Sequence, residues 1–165
     1  MSAKTSAGTI LRVSNVLPTT NDVAGYEDIF NNSLVSSSGS LTGPAIVGEI
    51  TDIGEFGREY SVITHKPLMS RGTQKYKGSF NEGTIALTLA LDENDDGQIM
   101  MMQAQDMDED CAFNITLSDG GNIYFSGKVM SFKINVGNVD AITTATSSIE
   151  ITTDDDGVGI IYDWA

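Results

Sequence analysis

Residues 84–91 alternate without a break: Ile85, Leu87, Leu89 and Leu91 are separated by Thr84, Ala86, Thr88 and Ala90. Only a strand puts every second side chain on one face, so the chain must build a sheet with an apolar side against a core. The opposite face carries Ala and Thr instead of charge, which predicts protein on that side too. The alternation stops at Asp92-Glu93-Asn94-Asp95-Asp96-Gly97 and the period changes. Met100, Ala104 and Met107 then share one helical face, with Gln98, Gln105 and Asp106 opposite. Asp95 and Asp96 fall at the helix N-terminus, where the macrodipole favours negative charge. The spacing therefore predicts one helix clamped on a sheet. Met102, on its polar side, is expected to be exposed in the monomer or covered by a partner.

Other segments repeat the strand signal. Leu11 and Val13 share a face in residues 9–14, and residues 46–53 and 60–64 read as strands around the turn Gly54-Glu55-Phe56-Gly57. Phe113, Ile115 and Leu117 point inward from residues 112–117, and Ser118-Asp119-Gly120-Gly121-Asn122 has hairpin-loop chemistry. The returning strand changes parity near Met130-Ser131, which predicts a β-bulge. Residues 141–152, rich in Thr, Ile and Ser, are β-prone. These readings predict one mainly β domain over residues 1–165, a β-sandwich or rolled sheet with one flanking α-helix. An N-terminal arm (1–8), a long inter-strand loop (19–44) and a C-terminal tail (153–165) complete it. The loop contains Asn31-Asn32-Ser33 and Ser36-Ser37-Ser38-Gly39-Ser40, yet also Tyr26, Ile29, Phe30, Leu34 and Val35. It is expected to project and meet a neighbouring subunit through Tyr26, Ile29 and Phe30. In the tail, Asp154-Asp155-Asp156 precedes Ile160, Ile161, Tyr162 and Trp164, an acidic spacer delivering an apolar end that docks.

Composition removes several function classes. The net charge of −14 does not fit a nucleic-acid binder, which needs clustered Lys and Arg. Five of the nine basic residues, Arg58, Lys66, Arg71, Lys75 and Lys77, crowd into one stretch. Cys111 is the only cysteine, so no intrachain disulfide is possible. No apolar run approaches the roughly 18 residues of a membrane span. The first residues lack a hydrophobic signal core, so synthesis in the cytosol and no membrane partner are expected. His65 sits beside Lys66-Pro67 with no nucleophile motif, and Asp110 beside Cys111 disfavours a thiolate. No glycine-rich loop has phosphate-binding spacing. The reading is a non-enzyme without cofactor. Asp92, Asn94 and Asp96, with Gly97 and Ile99, imitate a calcium loop. However, Gln103 stands where the bidentate Glu belongs, Met100 replaces an oxygen ligand, and the loop follows a strand. An acidic helix cap accounts for the same residues.

One further pattern spans residues 45–152. It runs Ile50-x-x-Ile53-x-x-Phe56-Gly57, Lys75-x-Lys77-Gly78, Phe80-x-x-Gly83, the alternating strand and Asp96-Gly97-Gln98. Phe113-x-Ile115-x-Leu117-x-Asp119-Gly120 and Phe125-x-Gly127-x-Val129-x-Ser131-Phe132 follow. In order and spacing it resembles the major tail tube proteins of long, non-contractile phage tails. The resemblance implies a β-sandwich subunit that stacks as homohexameric rings, within a virion assembled in the host cytoplasm. Its partners would be its own copies and other tail proteins at the tube ends. Tape-measure protein and DNA would pass through the lumen without specific binding. A tube subunit of a related protein-injection machine and an unrelated β-sandwich binding or fibre module are the alternatives. For a DNA conduit, the acidic excess predicts a net-negative bore that keeps the strand centred, with the basic residues between 58 and 77 facing other subunits.

Overall fold

A computed structural model describes residues 5–37 and 40–164. Residues 1–4 of the expected arm, Ser38 and Gly39 of the serine-rich run, and Ala165 of the tail lie outside the described residues. The chain order is β1 (Ile10–Ser14), α1 (Val23–Phe30), β2 (Val35–Ser37), β3 (Ser40–Thr42), β4 (Pro44–Val47) and β5 (Ile50–Asp52). Then come β6 (Glu59–His65), β7 (Gln74–Asn81), β8 (Thr84–Ala90) and α2 (Asp96–Ala104). The last four are β9 (Cys111–Thr116), β10 (Asn122–Asn135), β11 (Thr144–Thr152) and β12 (Ile161–Asp163).

The architecture is mainly β, as the alternation requires. One antiparallel sheet runs β4-β1-β9-β10-β11-β8-β5, with β12 also on β10. Its two end strands, β4 and β5, are separated in sequence by only Gly48 and Glu49. The sheet therefore rolls up. Leu11, Val47, Leu89, Phe113, Phe125 and Ile149, from six of its strands, share one buried cluster. The expected continuous strand over 46–53 is thus two strands around a corner. Glu49 takes the left-handed region there, at φ 58°, and its carbonyl accepts from the Ala90 N–H at 2.9 Å. The bulge is present: the β10–β11 register shifts between Val129 and Ser131, keeping both Val129 and Phe132 buried.

Helix α2 plugs the roll. It packs on β4, β1 and β10, burying Gly97, Gln98, Met100, Met101 and Ala104. The expected helix is present and Met100 and Ala104 are buried, but two side chains correct the wheel. Gln98 is fully buried, and Met107 lies past the helix end, 39% exposed. The buried face is 97-100-101-104, because Gly97 lets the helix approach the backbone of β4. A Cβ at position 97 would overlap the Ile46 carbonyl. Asp95 caps the helix, accepting from the Gln98 N–H at 3.0 Å, and its other carboxylate oxygen accepts from the Gly48 N–H at 2.9 Å. The Gln98 amide donates to the carbonyls of Gly48 (3.1 Å) and Ala90 (3.0 Å) and accepts from the Asp92 N–H (3.0 Å). One side chain thus ties the β4–β5 corner, the end of β8 and the helix together.

The segment expected as a long loop holds a second helix and a two-stranded ribbon. Asp22 caps α1, accepting from the Gly25 N–H at 2.8 Å and from the Thr20 hydroxyl at 2.9 Å, and these bonds hold its carboxyl below the usual range. Beyond it, β2 pairs with β3, and Asn15 pins the ribbon by donating to the Leu41 carbonyl at 2.7 Å. Helix α1 lies on the outer side of β9 and β10, against Ala112 and Tyr124. Five of the six residues of β9 are therefore buried, since protein covers both its faces.

Candidate assembly surfaces

A ribbon departs from the roll where the chain enters β8. Among the described residues, strands β6 and β7 pair only with each other, as a separate two-stranded sheet. Every residue of β6 is exposed, and Leu68 and Met69, in the loop joining the strands, are fully exposed. Its base is firmly built. The Arg58 Nε donates to the buried Glu82 carboxylate at 2.8 Å, and the guanidinium lies 4.0 Å from the Phe80 ring centroid. Gly159 packs so closely on Glu82 that a Cβ there would overlap the carboxylate. Above the base, Tyr60 packs on Phe80 with centroids 5.5 Å apart, and the Lys77 ammonium lies 4.9 Å from the Tyr60 ring. Val62, Ile63 and Tyr76 are left exposed. Residues 58–81 carry the five cations and one anion, Glu59, so the remainder of this −14 chain stands at −18.

The residues expected at subunit contacts divide into two groups. Tyr26, Ile29 and Phe30 are buried inside the protomer, with Tyr26 only 1% exposed and stacked on Tyr124 at 5.4 Å. Their expected contact with a neighbour is corrected to an internal one, because α1 turns this apolar face onto its own sheet. Ile160 joins the main core and Ile161 packs against the α1 cluster. Their expected contact with a neighbour is likewise corrected to an internal one, because β12 pairs its Ile161–Asp163 backbone with Asn122–Tyr124 of the same protomer's β10. Met102 is half-buried against its own core. Tyr162 and Trp164 form the second group, both exposed and stacked with centroids 5.2 Å apart. Pattern reading missed the β6–β7 apolar side chains, although the basic stretch pointed to their location.

Asp92, Asn94 and Asp96 take turn and cap positions. The Asp92 carboxylate accepts from the Asn94 N–H at 3.0 Å, and Asp96 sits in the first turn of α2. Among the described residues, no group of three or more His, Cys, Asp or Glu could hold a metal ion. His65 lies exposed at the end of β6. Cys111 is buried, and burial, with Asp110 and Glu109 adding, pushes its thiol up to about 11. None of the described helices is long and apolar enough to cross a membrane.

No protein-family model matches the chain, and no curated protein matches it. Among solved structures, one titled "Crystal structure of Hcp protein" is similar at TM-score 0.38 and 11% identity, over 95% of this chain and 98% of that one. Another, "Structure of a type six secretion system protein", is similar at TM-score 0.39 and 10% identity, over 93% of this chain and 90% of that one. Likeness at this level fixes no function.

Proposed function

We propose that the chain is the tube subunit of an injection machine of the phage-tail kind, assembling as rings of its own copies stacked into a hollow filament. The observation that carries this reading is the β6–β7 ribbon. An isolated two-stranded ribbon is marginal in water, and this one exposes Val62, Ile63, Leu68, Met69 and Tyr76. Such an element needs a partner to cover it. The core of the body is enclosed without it, by a rolled sheet, a plugging helix and a second helix covering the outer side of β9. The exposed Tyr162–Trp164 pair gives a further contact surface. Contacts between different surfaces build rings when the rotation closes and filaments when it does not; a tube needs both.

The order of motifs over residues 45–152 supports a phage tail tube as the second reading, with DNA as cargo. The acidic body suits that cargo, since a negative bore repels phosphates instead of binding them. Negative-stain microscopy of the purified chain across a concentration series tests the tube: hollow filaments with a regular axial repeat are expected. A monomer by sedimentation at the highest soluble concentration would overturn it. An electrostatic map of the assembled tube then tests cargo, and a bore lined by Lys and Arg removes the DNA reading.

A further inference from the structure

The β6–β7 ribbon stands on two legs, residues 53–58 and 82–83. Each leg holds a glycine in a conformation that favours glycine: Gly57 at φ 152° and Gly83 at φ 95°. The two lie side by side, since a Cβ on Gly83 would stand 3.0 Å from the Gly57 carbonyl oxygen. The body ends at this point. The Gly83 carbonyl accepts from the Ile151 N–H at 3.1 Å, and among the described residues β6 and β7 pair with no strand of the body. Adjacent glycines at the foot of a ribbon paired only with itself make a hinge.

One knot spans the hinge. Arg58 and Glu82 are the chain neighbours of the two glycines, one on each leg. Nε and Nη2 of Arg58 both donate to Oε1 of Glu82, and Glu82 is only 2% exposed. A carboxylate this deep depends on keeping its partner. The end of the chain lies against it, because a Cβ on Gly159 would overlap the carboxylate and its Cγ. Next to Gly159, Ile160 enters the main core and Ile161 begins β12. Asp154 shapes this segment. Its carboxylate accepts from the Val158 N–H at 2.6 Å and from the Asn21 amide, and its own N–H donates to the Val158 carbonyl at 3.0 Å. The tail thus crosses from β11 to β10 by way of the ribbon's foot.

We propose that residues 158–160 are a latch on the ribbon. Seated on Glu82, they keep water from the ion pair and hold the ribbon at one angle. Lifted, they leave the Arg58–Glu82 pair in water, where such a pair holds little, and the ribbon swings about Gly57 and Gly83. The ribbon and the exposed Tyr162–Trp164 pair are then two ends of one device. A partner that takes hold of Tyr162 and Trp164 changes the freedom of the ribbon. One that grips the ribbon steadies the tail, because coupling between two sites is reciprocal. The device belongs to the single subunit, so its test does not depend on the tube reading.

Spin labels on Met69→Cys, in the exposed ribbon loop, and on Thr146→Cys, exposed on β11, read the angle as a distance, while the buried Cys111 stays unlabelled. One narrow distance is expected in the monomeric wild type. Gly159→Ala forces latch and carboxylate apart, and Arg58→Met leaves the carboxylate without its cation. Each is expected to broaden the distances while circular dichroism stays as in the wild type. Glu82→Gln keeps the shape and removes the buried charge, so it covers the case in which the other two fail to fold, and it too is expected to broaden them. Hydrogen exchange reads the other end: in Arg58→Met the amides of residues 160–163 are expected to exchange faster, although Arg58 stands on a ribbon leg. Narrow distances in the folded variants, unchanged tail exchange in Arg58→Met, or broad distances in the wild type overturn the proposal. Wild-type filaments seen alongside any of these keep the tube reading standing.

Discussion

Replacing Gln98 by Leu tests whether one buried amide holds the roll closed. Gln98 has no solvent exposure, and its side chain makes all three of its hydrogen bonds to backbone, at Gly48, Ala90 and Asp92. Leucine has similar bulk, so little cavity forms. The loss comes from two carbonyls and one N–H left without this partner in a site closed to water, each costing about 1–3 kcal/mol. The apolar side chain returns part of that, about 1–2 kcal/mol. A net destabilisation of about 3 kcal/mol is expected, or roughly 6–12 °C in Tm for a domain this size. Gln98→Glu should lose more, since a carboxylate would face two carbonyl oxygens with nothing to donate. Urea unfolding by circular dichroism, at a concentration where the chain is monomeric, measures both. A Q98L loss below about 1 kcal/mol, or Q98E more stable than Q98L, would refute the idea that this amide is the clasp.

Three other outcomes follow from described geometry. Tyr26→Ala should cost about 3–5 kcal/mol in the monomer, because the ring is buried on Tyr124; a full-stability variant that fails to assemble would restore the contact to a subunit interface. Cys111 should resist alkylation until the chain unfolds. Since burial raises its pKa above the unfolded value, its contribution is complete below pH 9 and is lost as pH rises toward 11, by roughly 2–3 kcal/mol; Cys111→Ala should flatten that part of the profile, and an unchanged slope counts against it. Trp164, the sole tryptophan and 62% exposed, should shift its emission to the blue on assembly, and a spectrum identical in monomer and polymer would exclude the tail from the contact.

What the sequence revealed follows from how far its signals reach. Residues 84–91 and 112–117 alternate long enough to fix a strand and its inner face, and Ile85, Leu87, Leu89, Phe113 and Ile115 are buried in the core as read, while Thr84 and Ala86 on the outer face of β8 are exposed. The bulge near Met130 was legible because a parity change has few other causes. Helix α1 was missed although Asp22, Val23, Tyr26 and Phe30 carry a cap and helical spacing. It has only eight residues, with a glycine at position 25, so local propensity is weak and tertiary packing decides. Gln98 looked polar and outward because its partners lie at the β4–β5 corner, the end of β8 and the turn from β8 into α2. A wheel built from one segment cannot contain a carbonyl 50 residues away. The β6–β7 ribbon showed as a basic stretch, but its isolation depends on which strands pair, and a two-residue periodicity does not name a partner.

The strand order also sets when this molecule can exist. In the sheet, β11 stands between β10 and β8, so residues 144–152 are the wedge that joins the first half of the roll to the strand leading from the ribbon. On a ribosome, β8 emerges long before that wedge and has only the three-residue β5 for company. Closure must therefore wait for nearly the whole chain, and pairings so distant in sequence form slowly. The loop of residues 136–143 is set between β10 and β11, so it takes shape in the same late event. A nascent chain therefore carries its basic ribbon long before the body from which that ribbon departs is closed.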